Sequence, residues 1–148
     1  IIYRSKFGNC KELSQQIASD LSQENEVFLR EINEISPEDI VKMQPDLLLV
    51  GCRIIIGKPD KNVKRFLEEL GTHLDEPIPK AAIYYTHGSE WREKYNSLIE
   101  TIKSYNVCED VYMEMLEIKM RKFNGPAEPG QESKVESFVD SISHYISS

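Results

Sequence analysis

The chain has 148 residues, 40% of them hydrophobic and 29% charged, and a net charge of −7. This length suits one domain over residues 1–148. The composition is too apolar for a disordered chain. The apolar runs are too short for a membrane helix, so we expect no membrane partner. The negative charge repels a phosphate backbone, which argues against nucleic acid as a partner and favours a protein with a basic docking surface.

The cysteines and histidines give no sign of a disulfide framework or a metal site. The three histidines share no ligand spacing, and the cysteines are odd in number and lack CxxC spacing: Cys10, Cys52 and Cys108. We therefore expect no metal. The start of the chain also lacks the basic, apolar and small-residue pattern of a signal peptide, so we expect a cytoplasmic location.

Apolar spacing predicts two strand–helix pairs in the first third of the chain. Ile1–Tyr3 is the end of a buried strand, and Lys11–Leu21 has apolar residues at helical spacing. Alternation over Glu26–Ile32 predicts the second strand. The run Ser36–Asp39 then supplies an N-cap, an N1 proline and acidic first-turn residues for a short helix that ends at Pro45.

Two further pairs follow in the middle of the chain. The aliphatic run Leu47–Gly51 predicts a central strand that is covered on both faces, and Val63–Leu70 predicts a third helix with Gly71 as its C′ residue. Lys80–Tyr85 is a fourth apolar run. Helical spacing over Trp91–Tyr105 predicts the fourth helix.

The last pair completes an α/β pattern. Val107–Ile118 contains a fifth strand, Asn124–Glu132 is a connection rich in proline and glycine, and Val135–Ile146 forms the last helix. Strands that alternate with helices in this way predict a three-layer sandwich with a five-stranded parallel sheet, because each crossover must be right-handed. A ligand site between strands one and three then gives the strand order 2-1-3-4-5.

Ligands of open parallel sheets lie beyond the carboxyl ends of the strands. Three loops reach that edge: Ser5–Cys10, Gly51–Asp60 and Thr86–Trp91, after strands one, three and four. The first loop contains Gly8 and leads directly into a helix, so its backbone N–H groups form a cradle for an anion such as a phosphate.

Two segments carry a resemblance to a known family. IIYRSKFGNCKELSQQIA resembles the phosphate loop of the flavodoxin family, and the matching residues are Ser5, Gly8 and Asn9. VGCRIIIGKPDKNVKRFLEEL is similar to the family's loop after strand three, with matches at Gly51, Gly57 and Pro59. A weaker match, to the end of strand five in small flavodoxin-like proteins, is Lys119–Met120.

The resemblance implies a flavodoxin-like fold with FMN as its cofactor. The phosphate would lie on the first loop and the isoalloxazine ring against the other two. The cofactor-binding residues that it implies are Ser5, Lys6, Phe7, Gly8, Asn9 and Cys10 in the first loop, Cys52, Arg53, Ile54 and Gly57 in the second, and Thr86, His87, Gly88 and Trp91 in the third. Trp91 is the preferred stacking residue, although it could instead pack on the fourth helix.

The resemblance further implies an electron-transfer protein that exchanges electrons with a redox partner protein, more a carrier than an enzyme, since FMN would supply the chemistry and no catalytic side chain is required. Two alternatives stay open: an FMN-dependent NAD(P)H or quinone reductase, and a module that has lost flavin. Phe7 and Cys10 favour the second, because the family's loop has hydroxyl side chains there. Cys10 and Cys52 could also form a redox pair at this edge.

The acidic residues of the fifth strand allow two interpretations. They alternate with apolar residues and comprise Glu109, Asp110, Glu114 and Glu117. Charges of this kind commonly form the solvated face of an edge strand, which is the interpretation that we favour. A docking patch for a partner is the alternative.

Overall fold

A computed structural model gives the arrangement of residues 1–55, 57–88, 97–121 and 125–148. Within these ranges strands alternate with helices along the chain. In order they are β1 (Ile2–Tyr3), α1 (Asn9–Leu21), β2 (Arg30–Glu31), α2 (Pro37–Met43), β3 (Leu47–Ile55), β4 (Lys58–Pro59), α3 (Lys61–His73), β5 (Ile78–His87), α4 (Ser97–Ser104), β6 (Cys108–Val111), β7 (Leu116–Lys119) and α5 (Glu132–Ser147).

The strand order confirms the prediction. The main path of the sheet is β2-β1-β3-β5-β6, all of these pairs are parallel, and β7 also pairs with β5 in parallel. β5 is thus the predicted fourth strand, and β6 and β7 are two halves of the predicted fifth. The split arises because β5 advances three residues from Ala81 to Tyr84 while its partner advances five from Val111 to Leu116. The surplus residues bulge outward, and Met113 is 60% exposed.

Three predicted boundaries were wrong. β2 covers two residues instead of Glu26–Ile32. β3 does not end at Gly51 but continues to Ile55 and turns back through Gly57, at φ 73°, into an antiparallel pairing with β4. α3 continues through Gly71, the predicted C′ residue, and ends at His73. Gly71 instead allows close packing, because a Cβ there would collide with the backbone of Tyr105.

The predicted three layers are present, with a hydrophobic core on each face of the sheet. On one face α1 and α5 cover residues such as Leu49 and Ala82, and on the other α3 and α4 cover residues such as Val50 and Ile83. Strand alternation accounts for this division, since successive side chains of β3 point to opposite faces. No helix in the described part of the chain is both long and apolar enough to cross a membrane.

A tyrosine joins the two central strands to the first helix. Tyr84 lies directly opposite Gly51 in the β3–β5 register, and a Cβ on Gly51 would collide with the tyrosine ring. The Tyr84 hydroxyl lies 2.5 Å from Ser14 Oγ, and Ser14 in turn donates to the carbonyl of Cys10 at 2.6 Å. Both side chains are fully buried. The start of α1 is therefore held at a defined height above the sheet.

We predict that Gly51→Ala destabilises the protein through this ring. The added methyl overpacks the core, which costs roughly 1–3 kcal/mol of unfolding free energy. In a Tyr84→Leu background the methyl has room, so the same substitution should cost about 1 kcal/mol less. Urea unfolding of the four proteins of the cycle measures both terms. Equal penalties in the two backgrounds would show that the glycine is needed for another reason.

Candidate functional site

The carboxyl ends of β1, β3 and β5 lie at one edge of the sheet. The Arg4 N–H donates to the Gly51 carbonyl at 3.1 Å, so the first loop leaves β1 alongside β3. Arg53 of β3 is in register with Thr86 of β5. Because these strands are parallel, Ser5, Arg53 and Gly88 follow or end strands at the same edge of the sheet.

The first loop forms an open turn at the start of α1. Gly8 is the N-cap, with φ 90° and ψ −13°, and it supplies no side chain to cap the helix. The Ser5 hydroxyl accepts the Gly8 N–H at 3.1 Å and closes the turn. A Cβ on Gly8 would meet no atom within 4 Å, so the space above the loop is open. The first-turn N–H groups of α1 are thus left to interact with an anion.

Two cationic side chains lie close to the Phe7 ring in the first loop. The ring is 48% exposed, Lys6 Nζ lies 5.5 Å from its centroid, and the Arg53 guanidinium carbon lies 5.1 Å from it. Arg53 Nε is buried and has no hydrogen-bond partner among the described atoms. An acceptor at this point would satisfy a donor that the fold leaves unpaired.

The connection after β7 also reaches the site, which the sequence analysis missed. The side chain of Asn9 packs against Gly125, where a Cβ would collide with it. Gln131 holds this connection to the sheet: its amide accepts the Lys119 N–H at 2.8 Å and donates to the Lys119 carbonyl at 2.9 Å. A glutamine amide can pair with a strand like another backbone, but nothing in the sequence indicates which strand it meets.

The other predicted residues lie at the ends of β3 and β5. Cys52 and Ile54 are buried in the core on the α3 side of the sheet, so they offer the site backbone rather than side chains. Thr86 and His87 are buried at the end of β5, and the exposed residue after them is Gly88. The predicted stacking residue, Trp91, lies outside the described residues.

The cysteines do not have the chemistry of a redox pair. Cys10 and Cys52 are both free, and they belong to the cores on opposite faces of the sheet. Burial raises the pKa of the Cys10 thiol to about 12 and that of Cys52 well above its ordinary value. A helix N-terminus ordinarily lowers the pKa of a thiol, but at Cys10 burial outweighs that effect, and protonated thiols are poor nucleophiles. Across the described ranges, no cluster of three or more His, Cys, Asp or Glu is arranged to hold a metal ion.

The parallel sheet with the predicted strand order 2-1-3-4-5, with an uncapped turn between its first strand and first helix, defines a flavodoxin-fold protein. A family model described as "Flavodoxin domain" matches residues 1–119. The chain therefore belongs to the flavodoxin family.

Individual proteins show the same likeness. The chain is 28% identical over 105 residues to the "Flavodoxin-like domain-containing protein BilS" of Clostridioides difficile (strain CD3), and the match covers 70% of this chain and 55% of that protein. The chain thus spans about half the length of this curated relative.

Solved flavodoxins share the whole fold. Oxidised Flavodoxin 1 from Bacillus cereus aligns with a TM-score of 0.73 at 18% identity, over 99% of this chain and 95% of that one. The two-electron reduced flavodoxin of Megasphaera elsdenii aligns with a TM-score of 0.67 at 14% identity, over 95% and 96% of the two chains. At these identities the likeness shows the fold alone.

We predict that the buried thiol of Cys10 makes stability fall at alkaline pH. Its folded pKa of about 12 lies above the ordinary value of 9.0, so the thiolate forms first in the unfolded chain. This contribution to stability is present below pH 9 and is lost as the pH rises toward 12. Between pH 8 and 10 the wild type should lose about 1 kcal/mol more unfolding free energy than Cys10→Ala, as measured in urea. If the unfolding free energies of the wild type and Cys10→Ala changed equally with pH, Cys10 would not be the source of the alkaline loss of stability.

Proposed function

We propose that this chain binds FMN at the edge formed by Ser5–Cys10 and the ends of β3 and β5, and that it serves as an electron carrier. The observation that supports this proposal most directly is the open, uncapped turn at Gly8, which offers helix N–H groups to an anion in a chain of the flavodoxin family. The partly unpaired guanidinium of Arg53 stands beside it.

The residues of the first loop fit a phosphate, although not through the family's usual hydroxyls. The Ser5 oxygen accepts from Gly8, and its own hydrogen remains available to an acceptor above the loop. Cys10 is 2% exposed, so it contributes its N–H and not its thiol. When bound, FMN supplies one- and two-electron redox chemistry, and the protein positions it and tunes its environment.

One observation supports a redox role, and a second favours a carrier over a reductase. The related flavodoxins from B. cereus and M. elsdenii are described in an oxidised and a two-electron reduced form, respectively. This sequence contains no second nucleotide-phosphate loop that would seat a nicotinamide beside the flavin. Electrons would then enter from a redox partner protein. The charge of −7 favours a partner with a basic surface, and we propose the cytoplasm as the location.

A flavin-free module is the competing proposal. It is favoured by Phe7 and Cys10, because one presents an exposed ring at the loop and the other turns its thiol into the core. Neither side chain offers a hydroxyl to a phosphate. Direct titration with FMN separates the two proposals.

We predict that Gly8→Ala weakens FMN binding while Gly130→Ala does not. Both glycines have positive φ, 90° and 85°, and a Cβ on either would meet nothing within 4 Å, so the two substitutions impose similar backbone strain. Only Gly8 lies in the proposed phosphate cradle. The strain of about 1–2 kcal/mol shifts the free loop away from the binding conformation and should raise the FMN Kd about tenfold or more.

Quenching of FMN fluorescence measures both dissociation constants, and circular dichroism checks that both variants fold. No detectable binding to the wild type at millimolar FMN would establish the flavin-free module. An equal loss of affinity in the two variants would place the phosphate elsewhere.

We predict that the FMN-loaded protein is reduced rapidly by NADPH and a basic flavodoxin reductase, but slowly by NADPH alone. Encounter with the partner would be steered by charge, and the Debye length falls from about 10 Å at 0.1 M salt to about 3 Å at 1 M, so the rate should fall as salt rises. Stopped-flow absorbance follows flavin reduction in each case. Rapid reduction without the reductase would assign the protein to the reductases.

A further inference from the structure

The guanidinium of Arg53 reaches the first loop from the neighbouring strand. On β3, Leu49 belongs to the core beneath α1, whereas Val50 and Cys52 belong to the opposite core. Because strand side chains alternate, Arg53 leaves the sheet on the α1 side, two residues beyond Gly51. Its guanidinium carbon ends 5.1 Å from the Phe7 centroid, above the turn that starts the helix.

Arg53 lies close to the Phe7 ring and has hydrogen-bond donors that the described residues do not satisfy. A guanidinium carries five N–H donors in one plane, and a nearby aromatic ring attracts its charge without accepting them as an oxygen would. Nε is buried without a hydrogen-bond partner, and no carboxylate among the described residues is ion-paired with this side chain. No described carboxylate neutralises the Arg53 charge, so the arrangement favours an anionic ligand at the terminal nitrogens of the guanidinium.

The local charge points to the same kind of ligand. Lys6 Nζ lies 5.5 Å from the centroid of the Phe7 ring and the Arg53 guanidinium carbon lies 5.1 Å from it, so two cations adjoin the same aromatic side chain. A phosphate monoester, which carries about two negative charges near neutral pH, would be attracted to both of these side chains. Planar guanidinium groups bind such oxygens through two parallel hydrogen bonds.

We propose that Arg53 anchors the phosphate of the bound flavin and makes the site selective for the phosphorylated form. This inference rests on the proposed function. The ion pair replaces the neutral hydrogen bonds that hydroxyl side chains would give at Phe7 and Cys10. Arg53 is therefore a specificity residue, and it distinguishes FMN from riboflavin by charge.

The test compares the binding of FMN and riboflavin to three variants. Arg53→Gln removes the charge, Arg53→Lys keeps the charge but not the planar pair of donors, and Arg65→Gln makes the same charge change at an exposed position of α3. Arg53→Gln should raise the FMN Kd about 10- to 100-fold, the range expected for a hydrogen-bonded charge. Its riboflavin Kd should change less than about threefold, and Arg65→Gln should leave both values unchanged.

The other measurements separate this inference from the proposed function. Arg53→Lys should give an intermediate FMN affinity, and the FMN affinity of Arg53→Gln should depend less on salt than that of the wild type. Equal losses for FMN and riboflavin, or no loss for either, would overturn the phosphate-anchor role while leaving the flavin site intact. Failure of the wild type to bind either flavin would instead overturn the proposed function and the anchor together.

Discussion

The rest of the structure depends on the contact between the Tyr84 ring and the bare backbone of Gly51. The ring occupies the space where any residue other than glycine at position 51 would place its Cβ. The Tyr84 hydroxyl contacts Ser14 Oγ, which in turn donates to the Cys10 carbonyl. One buried side chain therefore sets the spacing of β3, β5 and the start of α1. The loop Ser5–Cys10 lies between these elements, so the geometry of its cradle is fixed from inside the core.

The protein is acidic overall, but the candidate site carries two positively charged side chains, Lys6 and Arg53. The net charge of −7 opposes an anionic ligand at long range, but charges beyond about 10 Å are largely screened at ordinary salt. Close to the loop, Lys6, Arg53 and the first turn of α1 contribute positive potential, while Glu31 and Asp60 act on Cys10 with the opposite sign. Under the proposed function, one chain would present an acidic surface to a basic protein and hold a phosphate at one edge of its sheet.

Much of the fold was readable because its strands are continuous apolar runs: Leu47–Gly51 and Lys80–Tyr85 predicted the central strands, and the loop with Gly8 predicted the site. Details that depend on tertiary contacts could not be predicted from the sequence. The hairpin through Gly57 needs a partner strand to define it, Gly71 packs against a distant tyrosine, and Gln131 meets β7 only in the folded chain. A local sequence pattern does not indicate which distant segment packs against it in the folded chain.

The surplus residues between β6 and β7 have a consequence for association between copies of the protein. A long, flat edge strand exposes a continuous row of N–H and C=O groups on which a second chain could add a strand. Here the outer edge is divided into two four-residue pieces, with the exposed Met113 and Glu114 displaced between them. An incoming strand would find matching hydrogen-bond partners over only one piece at a time. An interruption of this kind is one of the devices by which edge strands limit sheet extension.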